Sequence, residues 1–151
     1  MLGSNGMACS SQPLATQTGL NILRRGGNAF DAAVAMAATL NVVEPMSTGI
    51  GGDMYVLAWS AREQKLIGLN GSGRSASSAK LEYFHIKGLD SIPRSGIDSV
   101  TVPGTVHGWV TLLDAYGSLS LGDILADSIG YAEDGFPVSE VVAEAWFNGL
   151  R

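Results

Sequence analysis

The sequence predicts a mixed α/β or α+β domain, rich in helix and short of strands. Three features carry that expectation. An alanine-rich apolar run, Ala29–Val43, reads as a helix buried on most sides. Two strand-like runs, residues 54–60 and Lys65–Asn70, flank the hairpin-loop stretch "AREQ". From Thr105 onward, three further helical patterns follow one another.

Taken in order, residues 6–9 read as a short strand. "SSQPLATQTGLNILRRGG" then predicts a helix. Ser10 or Ser11 supplies the cap, Pro13 suits the first turn, and Gly26-Gly27 stops the helix behind two arginines that suit the dipole. Asn28 caps the next helix, with Asp31 three residues on in the place of a capping box. After the two strands, "NGSGRSASSA" is loop, residues 81–84 form a helical turn, and "KGLDSIPRSGIDS" is a polar, turn-rich excursion. "SVTVPGT" predicts a short strand ended by Pro103. The helix "TVHGWVTLLDAY" carries Val106, Trp109, Val110, Leu112 and Leu113 near one side, and residues 121–133 and 139–147 predict two more helices. Three or four strands are few for so much apolar helix, and the expectation is therefore that residues 1–151 form a fragment or subunit of a larger protein, with a compact three-layer domain as the alternative.

Composition narrows the function. Of 151 residues, 46% are hydrophobic and only 15% charged, against about 25% charged in an average domain. That composition argues against disorder. The net charge is −5, and no basic cluster exceeds the pair Arg24-Arg25. Nucleic acid is thus not an expected partner, because phosphate binding needs a basic footprint. Cys9 is the sole cysteine and cannot form an internal disulfide. No apolar run reaches the length of about 20 residues that spans a bilayer. "MLGSNGMACSSQ" has neither the basic nor the apolar region of a secretion signal, which favours the cytoplasm.

Candidate chemistry is sparse. The glycines of "STGIGGD" suggest a phosphate cradle, but such loops run from strand to helix, whereas this one runs from helix to strand and lacks the lysine. A tight connection between buried elements explains it better. His107 reads as a packed or hydrogen-bonded residue rather than a general base. Two histidines and one cysteine, widely spaced, do not predict a zinc site, and no cofactor is expected. Asp53 is the oddest carboxylate, since it enters an apolar strand. Arg74, flanked by Gly71, Ser72, Gly73, Ser75 and Ser77, has room to meet a ligand carboxylate in bidentate fashion. Composition alone favours a solvated loop arginine there.

Together, "PLATQTGLNILRRGGNAFDAAVA", "VVEPMSTGIGG" and "SVTVPGTVHGW" resemble the opening of the γ-glutamyltransferases (γ-glutamyltranspeptidases, glutathione hydrolases) and their acylase-like relatives. The similarity runs from about Gly6 to Trp109. It implies a partial αββα sandwich of the N-terminal nucleophile hydrolase type, within the large subunit of a self-cleaving precursor. It implies γ-glutamyl transfer or hydrolysis by an N-terminal threonine that lies on a downstream segment, so that this chain alone is inactive. Arg74 matches the arginine that grips the α-carboxylate of the γ-glutamyl substrate. The partners so implied are the remainder of the precursor and that small molecule. Asp53 and the "SASSA" after Arg74 depart from the G-I-G-G-G and R-x-x-A-P patterns of established transferases, and resemble the acylase-like branch instead. An acylase-like amidohydrolase, or a non-catalytic structural or binding portion of the same ancestry, is the alternative.

Overall fold

A computed structural model describes residues 3–149. The elements, in chain order, are α1 (Pro13–Arg24), α2 (Ala29–Val43), β1 (Tyr55–Ser60), β2 (Lys65–Asn70), α3 (Leu81–Ile86), a 3-10 turn at Ile97–Ser99, α4 (Thr105–Tyr116), α5 (Leu121–Asp134) and α6 (Glu140–Gly149). The fold is helix-rich α+β. The chain divides into two compact units, one made of Met1–Gly49 with Trp109–Arg151, the other of Ile50–Gly108. No helix among the described residues is long and apolar enough to cross a membrane.

In the first unit α2 is the central helix, with α1 and α5 both packed on it. Its capping box forms as expected. Asn28 Oδ1 accepts from the backbone N–H of Phe30 and Asp31 at 2.8 and 3.1 Å, and Asp31 Oδ2 accepts from the Asn28 N–H at 2.8 Å. Ala32, Val34, Ala35, Ala38 and Val43 of α2 are buried, as is Ile22 of α1. The two helices approach closely because Gly19 has no side chain: a Cβ there would stand 2.3 Å from Met36 Sδ.

The start of α1 differs from the expectation of a serine cap. Gln12 is the cap, its Oε1 accepting from the N–H of Leu14 and Ala15 at 2.5 and 3.3 Å. Both serines are engaged elsewhere: Ser10 Oγ donates to the Gln12 carbonyl at 2.8 Å, and Ser11 bonds to Glu44 at the end of α2.

The second unit holds the only sheet among the described residues, the antiparallel hairpin β1–β2, in which Tyr55 pairs with Asn70, Leu57 with Gly68 and Trp59 with Leu66. Gln64 closes the four-residue loop at φ 52°, and its side-chain amide donates to the Ala61 carbonyl at 2.7 Å. The strands expected at residues 6–9 and within "SVTVPGT" do not form. In the latter, Val102 donates one backbone bond to the Arg74 carbonyl at 2.9 Å, and Pro103, with no N–H, cannot extend a ladder. Nor is β1 a buried strand. Tyr55, Leu57 and Trp59 are all more than half exposed, with Leu66 beside them on the same face of the hairpin.

Candidate functional site

Arg74 lies in the loop that leaves β2, in the second unit, and that loop is held by its backbone on several sides. The Gly71 N–H donates to the Met54 carbonyl at 2.7 Å, continuing the hairpin ladder by one bond. The Ser72 N–H donates to Asn70 Oδ1 at 2.9 Å, an Asx-type turn. The Gly73 N–H donates to Asp53 Oδ1 at 3.0 Å, and the Arg74 carbonyl accepts from Val102. Two glycines make this approach feasible. A Cβ on Gly73 would fall 1.4 Å from the Val102 carbonyl oxygen, and one on Gly104 would fall 2.2 Å from that of Gly71.

The Arg74 side chain is exposed, and no carboxylate among the described residues pairs with its guanidinium. A hydrogen-bonded backbone thus carries an unpaired fork of donors, the arrangement suited to a carboxylate ligand. An open pocket of about 300 Å3 lies against the same loop, walled by Ala76, Ala79, Tyr83, Phe84, Ile97 and Val102; Arg74 does not line it.

Asp53 is the anchor that composition left unexplained. Its Oδ1 accepts from Gly73 and also from the Thr101 hydroxyl at 3.2 Å. The Gly73 N–H, foremost, holds the carboxyl below the usual aspartate range; partial desolvation works against this, and the Ser72 and Thr101 side chains add to it. Asp53 is ionised at neutral pH and acts purely as an acceptor.

The glycine run ahead of Asp53 serves the same junction. The Gly52 carbonyl accepts from the N–H of both Gly104 and Thr105, at 3.1 Å each, and so satisfies amides at the start of α4. A phosphate cradle would present N–H groups; this run presents an oxygen. Gly108, one turn into α4, packs on Met54, whose Sδ would be 2.6 Å from an added Cβ.

The remaining sequence candidates do not converge. Cys9 is exposed ahead of α1 in the first unit, while His85 sits exposed on α3 and His107 in the first turn of α4. Among the described residues no three His, Cys, Asp or Glu side chains come together as a metal site would require. Sequence reasoning named Arg74 but missed Thr101 as a partner of Asp53. The spacing of glycines in "VPGTVHG" was the available signal, yet only the folded chain shows Gly104 meeting Gly71 and Gly73.

This loop, clamped between a glycine-rich turn and the start of a helix, belongs to a chain whose residues 15–150 match the gamma-glutamyltranspeptidase family. The protein is a member of that family. It is 46% identical over 140 residues to the glutathione hydrolase-like YwrD proenzyme of Bacillus subtilis, an alignment that covers 92% of this chain and 26% of the relative. It is 43% identical to the oxamate amidohydrolase proenzyme of Klebsiella pneumoniae, covering 99% of this chain and 29% of the relative. The solved structure of a cephalosporin acylase from Bacillus halodurans superposes with a TM-score of 0.84 and 49% identity, over 90% of this chain and 25% of that one. The chain therefore spans roughly a quarter of the length of these relatives.

Proposed function

We propose that residues 1–151 are the opening part of the large subunit of a self-processing amidohydrolase that cleaves γ-glutamyl amides, and that Arg74 holds the substrate's α-carboxylate. The observation that carries this is the unpaired Arg74 guanidinium on a backbone fixed by Gly71, Gly73 and Val102. The bond-breaking group comes from the remainder of the precursor. There the hydroxyl of a newly exposed N-terminal threonine adds to the γ-carbonyl carbon while its own α-amino group takes the proton. The tetrahedral intermediate collapses, the amine departs with that proton, and a γ-glutamyl ester remains. Water or an acceptor amine then attacks the ester and regenerates the hydroxyl. In these steps this chain binds and orients, since a carboxylate clamped at one end fixes the distance from acid group to scissile amide.

A second reading has its own support. Asp53 stands at the last place of the G-I-G-G-G pattern that established transferases carry. The relatives above are named for glutathione, oxamate and cephalosporins, and each of these compounds joins an amide to a free carboxylate. An acylase-like enzyme would keep the arginine grip and change the acyl group. Expression of the whole reading frame separates the two. Self-cleavage into two subunits with hydrolysis of γ-glutamyl-p-nitroanilide supports the first. Self-cleavage with activity confined to other carboxylated amides supports the second, and an unprocessed, inert product contradicts both.

A further inference from the structure

The carboxylate of Asp53 has a use that follows from its neighbours. We propose that Asp53 is a positioning residue for Arg74: its oxygen staples the 71–74 turn to the 101–104 segment, and so directs the guanidinium at the substrate's acid group. The proposal rests on the assignment of Arg74 as the carboxylate ligand.

Both strands of the staple end on one atom. Asp53 Oδ1 takes the Gly73 N–H at 3.0 Å and the Thr101 hydroxyl at 3.2 Å. One residue beyond each of these donors, the two segments are joined again by the bond from Val102 N–H to the Arg74 carbonyl at 2.9 Å. Arg74 is thus flanked by two cross-links between the same pair of segments, and Asp53 supplies the one ahead of it. A glycine at position 53 would leave the Gly73 N–H without that acceptor and would free the turn. Ordering an arginine before the ligand arrives reduces the entropy lost on binding. Asp53 makes no ion pair with the guanidinium among the described residues, so the anchor does not consume the grip it orders.

The test uses the full-length processed protein and two substrates, γ-glutamyl-p-nitroanilide and 4-aminobutyryl-p-nitroanilide, which differ only in the α-carboxylate. Asp53→Ala is expected to lower kcat/KM for the first roughly ten-fold, mainly through KM, and to change the second little. Asp53→Asn keeps an oxygen for Gly73 and should recover most of the loss. Thr101→Val should shift the ratio in the same direction by less. Amide exchange at Gly73 should quicken in the alanine variant. An equal loss on both substrates, or an asparagine variant as impaired as alanine, overturns the proposal. Should Asp53→Ala fail to fold, Thr101→Val decides: a loss on γ-glutamyl-p-nitroanilide alone supports the proposal, and an unchanged substrate ratio overturns it. Arg74→Ala separates the two levels. If it too leaves the substrate ratio unchanged, the carboxylate assignment itself falls, and this inference with it. If it collapses the ratio while Asp53→Ala does not, only the positioning role is lost.

Discussion

Asp31 and Ser118 are joined twice across 87 residues of chain: the Ser118 N–H donates to Asp31 Oδ1 at 2.9 Å and its hydroxyl to Oδ2 at 2.6 Å. Asp31 is fully buried, and the same carboxylate accepts from Asn28 at 2.8 Å and from Leu119 at 3.4 Å. One side chain therefore caps α2 and fastens the turn between α4 and α5.

Asp31→Ala leaves these donors without their acceptor and should destabilise the protein by about 3 kcal/mol, since bonds to a charged group contribute more than neutral ones. Chemical denaturation of the full-length protein measures it. A loss under about 0.5 kcal/mol, the size of an ordinary surface change, would show that the staple is dispensable.

The same residue sets an acid response. Burial alone would raise the Asp31 carboxyl, but bonds from the Ser118 hydroxyl and from the N–H groups of Asn28, Ser118 and Leu119 outweigh it and lower it. A carboxyl depressed by folding stabilises the protein above its unfolded value of about 3.9. That contribution fades as the pH falls through the folded value. Melting temperatures followed from pH 6 downward should fall more steeply in wild type than in Asp31→Asn once the pH is below about 4. Parallel curves would exclude this origin.

Gly73→Ala and Gly104→Ala place a methyl group against backbone carbonyls that have no room to move. Each should cost more than about 2 kcal/mol and reduce activity together with stability. Gly130→Ala is the control: it lies within α5 with nothing within 4 Å of an added Cβ, and should raise stability by up to about 1 kcal/mol. Thermal unfolding of the three variants checks the contrast.

A polypeptide restricted to residues 1–151 would expose Tyr55, Leu57, Trp59 and Leu66 together on one face of the hairpin. Such a patch favours association. Light scattering should find it aggregated or oligomeric when expressed alone, and dispersed when the rest of the precursor is co-expressed. A monodisperse monomer would show that the face needs no cover.

Local signals made the helices readable. Asn28 with Asp31, Gly26-Gly27 and the alanine run each act within a few residues, and α2 ends where Val43 meets Glu44-Pro45. The hairpin was legible for the same reason. The failures lie where distant segments decide. Residues 100–102 have the composition of a strand, yet they contribute one backbone bond to the Arg74 loop and no ladder. The exposure of β1 was equally hidden, because apolar residues on both faces read as burial whichever face the described chain covers. Arg74 entered as a candidate through resemblance to a family, while the bonds that hold its loop needed coordinates, because Asp53, Gly73 and Thr101 lie 20 to 48 positions apart.

The most direct measurement is kcat/KM of Arg74→Ala against wild type in the full-length processed enzyme, with γ-glutamyl-p-nitroanilide as substrate. Loss of a bidentate charged contact should lower it about 100-fold, chiefly by raising KM, with only partial recovery in Arg74→Lys, whose point charge cannot reproduce the fork. An Arg74→Ala enzyme as active as wild type would contradict the assignment of this chain as the grip on the substrate's acid group.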